Sequence, residues 1–281
     1  VGNISNFANL ELFLSFKIIN ILFFILFLTC LSFLIKEVPF SEKEKILFFS
    51  LILLNPYVVR HHLFQPVQTH DLLFFTLSMI FLIGILKNNF KYIFFSTMLM
   101  IFIRQTSIAF LIGGIIFFIF DKNKNYLKIF LFLLLFLMLF KVNSLIGNYI
   151  SPNNFDMNYA FGILFFDFSK IDKLLRFLAL PLVSFFPLLI MIFSSRKIKD
   201  NFNLTISITC FAIIVLMIGQ PVMGGPDYTQ RNVVRISSLC FIVATFFTIN
   251  TFKHNFLLKN NFLYYSFILG LFFWSLHPLY S

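Results

Sequence analysis

Apolar runs separated by short polar clusters repeat along the whole chain. They cover residues 16–35, 46–59, 72–86, 92–103, 107–120, 128–140, 174–194, 204–220, 236–250 and 262–275. The runs do not alternate apolar and polar residues at a period of two, so helices are expected rather than strands. We predict about ten helices in a single transmembrane domain. Several would cross the bilayer only in part, because a spanning helix needs roughly 20 residues.

The composition indicates that these helices lie in a membrane. The chain is 59% hydrophobic and 12% charged, with a mean hydropathy of +0.92. A soluble domain of this length needs a more polar surface, so we predict an all-α, polytopic integral membrane protein surrounded by membrane lipids. The net charge of +11 does not predict nucleic acid as a partner, because the basic residues lie in short clusters between the runs.

The segment 92–120 admits two interpretations: one long helix with Arg104 at its centre, or a hairpin that turns at Arg104. We favour the hairpin because of the positive-inside rule. With the N-terminus outside, and with Lys17 beside the first run set aside, the hairpin puts thirteen Lys and Arg residues on one side of the membrane and eight on the other. A single long helix, with Lys17 and Arg104 set aside, gives a more even split of eleven and nine. The lysine-rich side is then cytoplasmic.

The hairpin topology also separates arginine from lysine. Five of the six arginines fall on the non-cytoplasmic side, and twelve of the sixteen lysines fall on the cytoplasmic side. Arginine binds phosphate oxygens through a planar, bidentate guanidinium, so the segregation favours a phosphate site. The alternative is that arginines reach lipid headgroups. We expect this for Arg176, in an amphipathic surface helix over 161–177 that ends an external loop over 141–177.

Candidate site residues lie in the external polar clusters. Residues 60–71 include Arg60, His70 and Asp71. Their histidines lack a standard metal-ligand spacing, so no cofactor is predicted, and a divalent metal is the weaker alternative. Asp71 opens a helix, where a carboxylate serves equally as a simple N-terminal cap.

Two later external segments add further candidates. Asp156, in the long loop, is a candidate ligand for sugar hydroxyls. In the segment 224–235, Tyr228 suits stacking on a sugar face, Asp227 suits binding hydroxyls, and Arg231 and Arg235 suit binding phosphate. A purely structural role for this segment stays open.

The order of these features resembles a known family. An acid at the head of one helix (Asp71), a short cytoplasmic turn, and Arg104-Gln105-Thr106 at the external end of the next helix resemble the GT-C superfamily of polyprenyl-phosphate-dependent glycosyltransferases. The chain is most similar to the dolichyl-phosphate-glucose alpha-1,2-glucosyltransferases. The likeness covers residues 60–120 well and 224–235 weakly. It departs at His70, which separates Thr69 from the acid, and at Ser107, where Asn is usual.

The resemblance implies inverting transfer of a sugar from a polyprenyl-phosphate donor to a glycan or lipid-linked acceptor. The reaction would take place on the non-cytoplasmic face of a bacterial inner membrane or the endoplasmic reticulum. Arg104, assisted by Arg231 or Arg235, would bind the phosphate, and Asp71 or Asp227 would act as base or orienting group. Because the chain begins at Val1 on the external side, we expect an upstream segment; a catalytic acid in that segment, with Asp71 only a supporting group, is the alternative to Asp71 or Asp227 as the base. A polysaccharide polymerase or ligase using lipid-diphosphate glycans, and a membrane transporter, are the alternatives.

Overall fold

A computed structural model describes residues 12–60, 69–120, 126–135, 137–138, 171–195, 197–223 and 238–276. This part of the chain is mostly helical, and each of the ten predicted apolar runs contains a helix, so the all-α prediction is confirmed. The helices are α1 (Leu12–Glu37), α2 (Glu42–Leu53), α3 (Thr69–Leu86), α4 (Phe90–Ile103), α5 (Ile108–Phe120), α6 (Tyr126–Leu135), α7 (Ile171–Ser194), α8 (Leu204–Met223), α9 (Phe241–Thr251), α10 (Asn255–Lys259) and α11 (Asn261–Ser275).

Three local features differ from the predicted pattern. The run 46–59 is not one helix: α2 ends at Leu53, and a π-helical turn follows over Pro56–Arg60. Proline disfavours helical backbone in the residue before it, and the Asn55 side chain accepts a hydrogen bond from the Tyr57 N–H at 2.8 Å. The short helix α10 and an antiparallel pairing of β1 (Lys197–Ile198) with β2 (Phe252–Lys253) were not predicted either.

The external loop and its expected surface helix are described only in part. Residues 141–170 lie outside the described residues. Helix α7 begins at Ile171 and continues without a break to Ser194, so residues 171–177 form its first turns. The last part of the expected surface helix is therefore continuous with the apolar helix that follows.

Helices α3 and α4 form a tight hairpin. Asn88 adopts a left-handed conformation (φ 48°) just after α3, and the Asn89 N–H donates to the Gly84 carbonyl at 2.8 Å, as in a Schellman turn. Asn89 then caps α4 by accepting from the Lys91 N–H at 3.0 Å. At Gly84, a Cβ atom would lie 2.7 Å from Ile93 Cγ1. The missing side chain thus lets the two helices approach closely.

Helices α4 and α5 form a second hairpin. Helix α4 ends at Ile103, Arg104 is extended (φ −152°, ψ 144°), and a 3₁₀ turn over Gln105–Ser107 leads into α5. The rings of Phe90, at the start of α4, and Phe118, near the end of α5, lie 5.7 Å apart, so the helices are antiparallel. The hairpin interpretation of residues 92–120 is confirmed at the level of the helices.

Helix α9 lies at the centre of the bundle. All of its residues except Phe247 are buried, and it contacts α2, α3, α7 and α8. Helix α3 packs against α1 and α4, and α5 packs against α8. The two hairpins share α4. Helix α9 contacts them through α3, and helix α8 contacts them through α5.

The outward faces of the bundle are apolar. Exposed large side chains recur at helical spacing, as in Ile18, Leu22 and Ile25 of α1 and Phe95, Leu99 and Phe102 of α4. Among the described residues, one helix is both long and apolar enough to cross a membrane alone, over Leu14–Glu37. The other apolar helices are shorter.

Polar groups collect at the two opposite ends of the bundle. The lysine end comprises residues 37–45, 87–91, 197–200 and 253–261. Its contacts include Lys87 Nζ to Glu37 Oε1 at 2.7 Å and Lys199 Nζ to Glu44 Oε1 at 2.5 Å. The arginine end comprises residues 55–60, 69–71 and 104–107, which flank the other ends of α2, α3, α4 and α5.

Candidate functional site

A buried ion pair joins α3 to α4 at the arginine end. Arg104 donates from Nε to Asp71 Oδ1 at 2.6 Å. The Asp71 side chain is fully buried and that of Arg104 is 16% exposed. The hairpin explains the pairing, because Asp71 and Arg104 lie equally far along the chain from the turn at Lys87-Asn88. Two clusters that are distant in sequence thus form one structural unit.

His70 is the exposed member of this unit. Its Nε2 lies 3.2 Å from Arg104 Nη2 and 3.4 Å from Asp71 Oδ1, and its side chain is 44% exposed. A guanidinium has only donors, so Nε2 accepts from Arg104 when the imidazole is neutral and carries its proton on Nδ1. His70 therefore occupies one N–H of Arg104 from the solvent side.

Two buried hydroxyls follow Arg104 in the same turn. Thr106 is 4% exposed and Ser107 is fully buried. Neither Thr106 Oγ1 nor Ser107 Oγ has a hydrogen-bond partner among the described residues. Both residues belong to the 3₁₀ turn that precedes α5.

The predicted site residues fall into three groups. His70, Asp71 and Arg104 come together, and Thr106 follows on the same turn. Gln105 begins the 3₁₀ turn and Arg60 ends the π-helical turn, both at the arginine end. The remaining predicted residues lie outside the described residues: Asp156, Asp227, Tyr228, Arg231 and Arg235.

The geometry distinguishes between two roles for Asp71, that of a base and that of an orienting group. Its carboxylate is paired with a guanidinium and shielded from solvent, so any other proton donor must compete with Arg104. This arrangement favours an orienting role over that of a base. In the described ranges, no three His, Cys, Asp or Glu side chains cluster closely enough to hold a metal ion.

Sequence reasoning missed two features of this site. It did not pair Asp71 with Arg104, although the length of the α3–α4 hairpin carries that information. It also treated Ser107 only as a departure from a motif, because the burial of a hydroxyl cannot be deduced from residue type alone.

The site is best described by its own chemistry. Comparisons with protein families, curated proteins and solved structures gave no match to this chain. The Arg104 guanidinium is held by Asp71 and contacts the half-exposed imidazole of His70. The two buried hydroxyls belong to the turn that follows Arg104. Such a set of donors suits an anionic, oxygen-rich ligand.

Proposed function

We propose that this chain is a polytopic membrane glycosyltransferase of the GT-C type. It transfers a sugar from a polyprenyl-phosphate donor to a glycan or lipid-linked acceptor on the non-cytoplasmic face. The observation that carries the proposal is the guanidinium of Arg104, held by the buried carboxylate of Asp71 at a helix break. An arginine so fixed presents a directed cation at the place where a lipid phosphate would arrive.

The membrane setting is supported by the faces that point outward. Exposed large apolar side chains recur along α1, α4 and α11, and lipid is a partner that suits all three surfaces. Helices satisfy their own backbone hydrogen bonds, as a lipid environment requires. The lysine end then faces the cytoplasm by the positive-inside rule, and the arginine end faces away from it.

In this proposal Arg104 binds the phosphate of the donor. Asp71 occupies Nε and so fixes the plane of the guanidinium. His70 is the exposed acceptor on Nη2, and a phosphate oxygen replaces it there. When the bond between the anomeric carbon and the phosphate oxygen breaks, negative charge builds on that oxygen, and Arg104 stabilises it.

The acceptor hydroxyl needs a separate base to take its proton. Asp71 does not fill that role here, because it orients Arg104. Asp227 is our candidate for that base. No step in this proposal runs through a metal ion.

The arrangement of α4 and α5 favours an enzyme over the transporter alternative. Transporters commonly bind substrate between the two halves of one discontinuous helix near the membrane midplane. Here the break at Arg104 separates two antiparallel helices, and the polar groups lie at one end of the bundle. Substrate would thus approach from one face.

The test is sugar transfer by the full chain in lipid nanodiscs, with a radiolabelled polyprenyl-phosphate sugar as donor. We expect Arg104→Lys to insert and fold but to lose about 100-fold or more in turnover, because an ammonium is a point charge and cannot reproduce the planar fork that a guanidinium presents to phosphate. Lys87→Arg, a cation exchange at the opposite end, is the control and should retain turnover. Wild-type turnover in Arg104→Lys would refute the assignment of Arg104, and uptake of solute without transfer would favour a transporter.

A further inference from the structure

The hydroxyls of Thr106 and Ser107 differ from buried serine and threonine hydroxyls inside the helices. Thr97 and Ser78 are equally buried, and their hydroxyls donate to the Ile93 and Phe74 carbonyls, each at 2.8 Å. Those bonds follow the usual helical pattern of a side chain donating one turn back. The two hydroxyls beside Arg104 have no such partner among the described residues.

The backbone explains the difference. The Arg104 N–H makes the last bond of α4, to the Met100 carbonyl at 3.0 Å, and Arg104 itself is extended. The chain therefore leaves the helix just before Thr106. For Thr106 and Ser107, the carbonyls one turn back belong to a helix that has already ended. These two hydroxyls therefore lack the kind of acceptor that Thr97 and Ser78 have within their helices.

The surroundings indicate which ligand would suit these hydroxyls. They precede the N-terminus of the 13-residue helix α5, whose dipole favours negative charge. Arg104 lies two residues before Thr106 and supplies guanidinium N–H donors, with its charge shared with the Asp71 carboxylate. Hydroxyl donors, a helix N-terminus and a guanidinium together favour an acceptor with several anionic oxygens, and a phosphate group has that chemistry.

We propose that Thr106 and Ser107 are hydroxyl ligands of a phosphate group that Arg104 also binds, and that Ser107 is a binding residue outside the motif it follows. The inference rests on the proposed function, in which the phosphate belongs to a polyprenyl donor. A free phosphate offers the same oxygens, and the experiment separates the two sources.

Binding is measured with the full chain in nanodiscs of zwitterionic lipid. The probes are farnesyl phosphate, inorganic phosphate and farnesol. We expect Ser107→Ala and Thr106→Val each to weaken farnesyl phosphate binding about tenfold, as expected for loss of a hydrogen bond to a charged group. Farnesol binding should not change. Free phosphate would be identified as the ligand if inorganic phosphate bound as tightly as farnesyl phosphate and lost affinity in the same variants.

Matched variants separate a binding role from a structural one. Ser78→Ala and Thr97→Val remove hydroxyls that are satisfied within a helix, so they should leave phosphate affinity unchanged and lower the melting temperature. Without ligand, Ser107→Ala and Thr106→Val should melt at or above the wild-type temperature, because they remove buried groups that have no partner. Lower melting temperatures with unchanged phosphate affinity would overturn the inference.

The outcomes also distinguish this inference from the proposed function. Phosphate binding that depends on both hydroxyls, without sugar transfer, would refute the transferase and keep the site. Sugar transfer by the wild type, together with a phosphate affinity that is unchanged in Ser107→Ala and Thr106→Val, would refute the site and keep the transferase.

Discussion

The two ends of the bundle use polar residues in different ways. At the lysine end, ion pairs are partly exposed and connect helix ends, as in Lys87 with Glu37 and Lys253 with Asp200. At the arginine end, the Asp71–Arg104 pair is largely buried, and two neighbouring hydroxyls lack partners among the described residues. The ion pairs of the lysine end therefore join helix ends close to solvent, whereas the arginine end combines a buried ion pair with two buried hydroxyls that have no partner among the described residues.

Glu44 illustrates how fully one group is satisfied at the lysine end. Its Oε2 accepts from the Ser41 N–H and hydroxyl, both at 2.9 Å, which completes a capping box at the start of α2. Its Oε1 accepts from Lys199, whose Nζ also lies 5.5 Å from the centre of the Phe40 ring. These contacts leave Glu44 suited to stabilising the fold rather than to binding a ligand.

The largest expected effect comes from breaking the buried pair. Asp71→Asn leaves Arg104 charged and without its carboxylate, so we expect the free energy of unfolding to fall by about 3–5 kcal/mol. Unfolding in mixed detergent, followed by circular dichroism, measures it. Glu37→Gln, which breaks a half-exposed pair at the lysine end, should cost under about 1 kcal/mol.

A double variant sharpens this contrast. Asp71→Asn with Arg104→Gln removes both charges, so it should be more stable than Asp71→Asn alone. Equal losses for Asp71→Asn and Glu37→Gln would mean that the two ends do not differ in the way the structure indicates.

The second effect concerns the close approach of α3 and α4 beside the turn that joins them. Gly84→Ala should lower the free energy of unfolding by about 1–3 kcal/mol, because the new methyl group would overlap Ile93. Gly270→Ala is the control, since a Cβ there has no atom within 4 Å. It should be neutral or stabilising, because alanine favours helix over glycine. Similar results for the two variants would show that α3 and α4 have room to separate.

The smallest effect is a pH dependence at the lysine end. Burial alone would raise the pKa of Glu44, but hydrogen bonds from Lys199 and Ser41 outweigh it, so the pKa is lowered. Its contribution to stability is thus present above the unfolded value of about 4.3 and is lost as pH falls through the folded pKa. Glu44→Gln should be less stable than wild type at neutral pH and should converge with it in acid.

His254 gives a second pH range, above that of Glu44, in which stability should change. Burial lowers the pKa of its imidazole, so the folded state resists protonation. The wild type and Glu44→Gln should both begin to lose stability below about pH 6.5, the unfolded value for histidine. Melting temperatures between pH 8 and pH 4 test both windows, and a Glu44→Gln difference that persists undiminished at the acid limit would contradict the first.

The helices were predictable because their apolar runs are long relative to the clusters between them. The turn at Asn88 was predictable as a turn, since asparagines follow a lysine between two such runs. The end of α2 was signalled by Asn55-Pro56, but the surrounding run of apolar residues outweighed that signal in the prediction. Local sequence thus indicated the helices better than their exact ends.

The sequence predicted which residues of the candidate site lie at the same end of the bundle, but it did not predict which of them contact each other. Asp71 and Arg104 could be assigned to the same end from charge distribution alone. Their direct contact depends on how closely α3 and α4 approach at that end, which only the packed structure reveals. The unsatisfied state of the Thr106 and Ser107 hydroxyls likewise depends on the backbone conformation of Arg104.

The order of the hairpins has a consequence for biogenesis. In the proposed membrane, Arg104 must cross the bilayer at the tip of the α4–α5 hairpin, and an isolated arginine at the centre of a spanning helix costs about 3 kcal/mol. Asp71 is synthesised first, on α3, and so it precedes Arg104 into the membrane. The counter-ion is thereby in place before the charge it neutralises arrives, which makes α3 a template for insertion of the segment that follows.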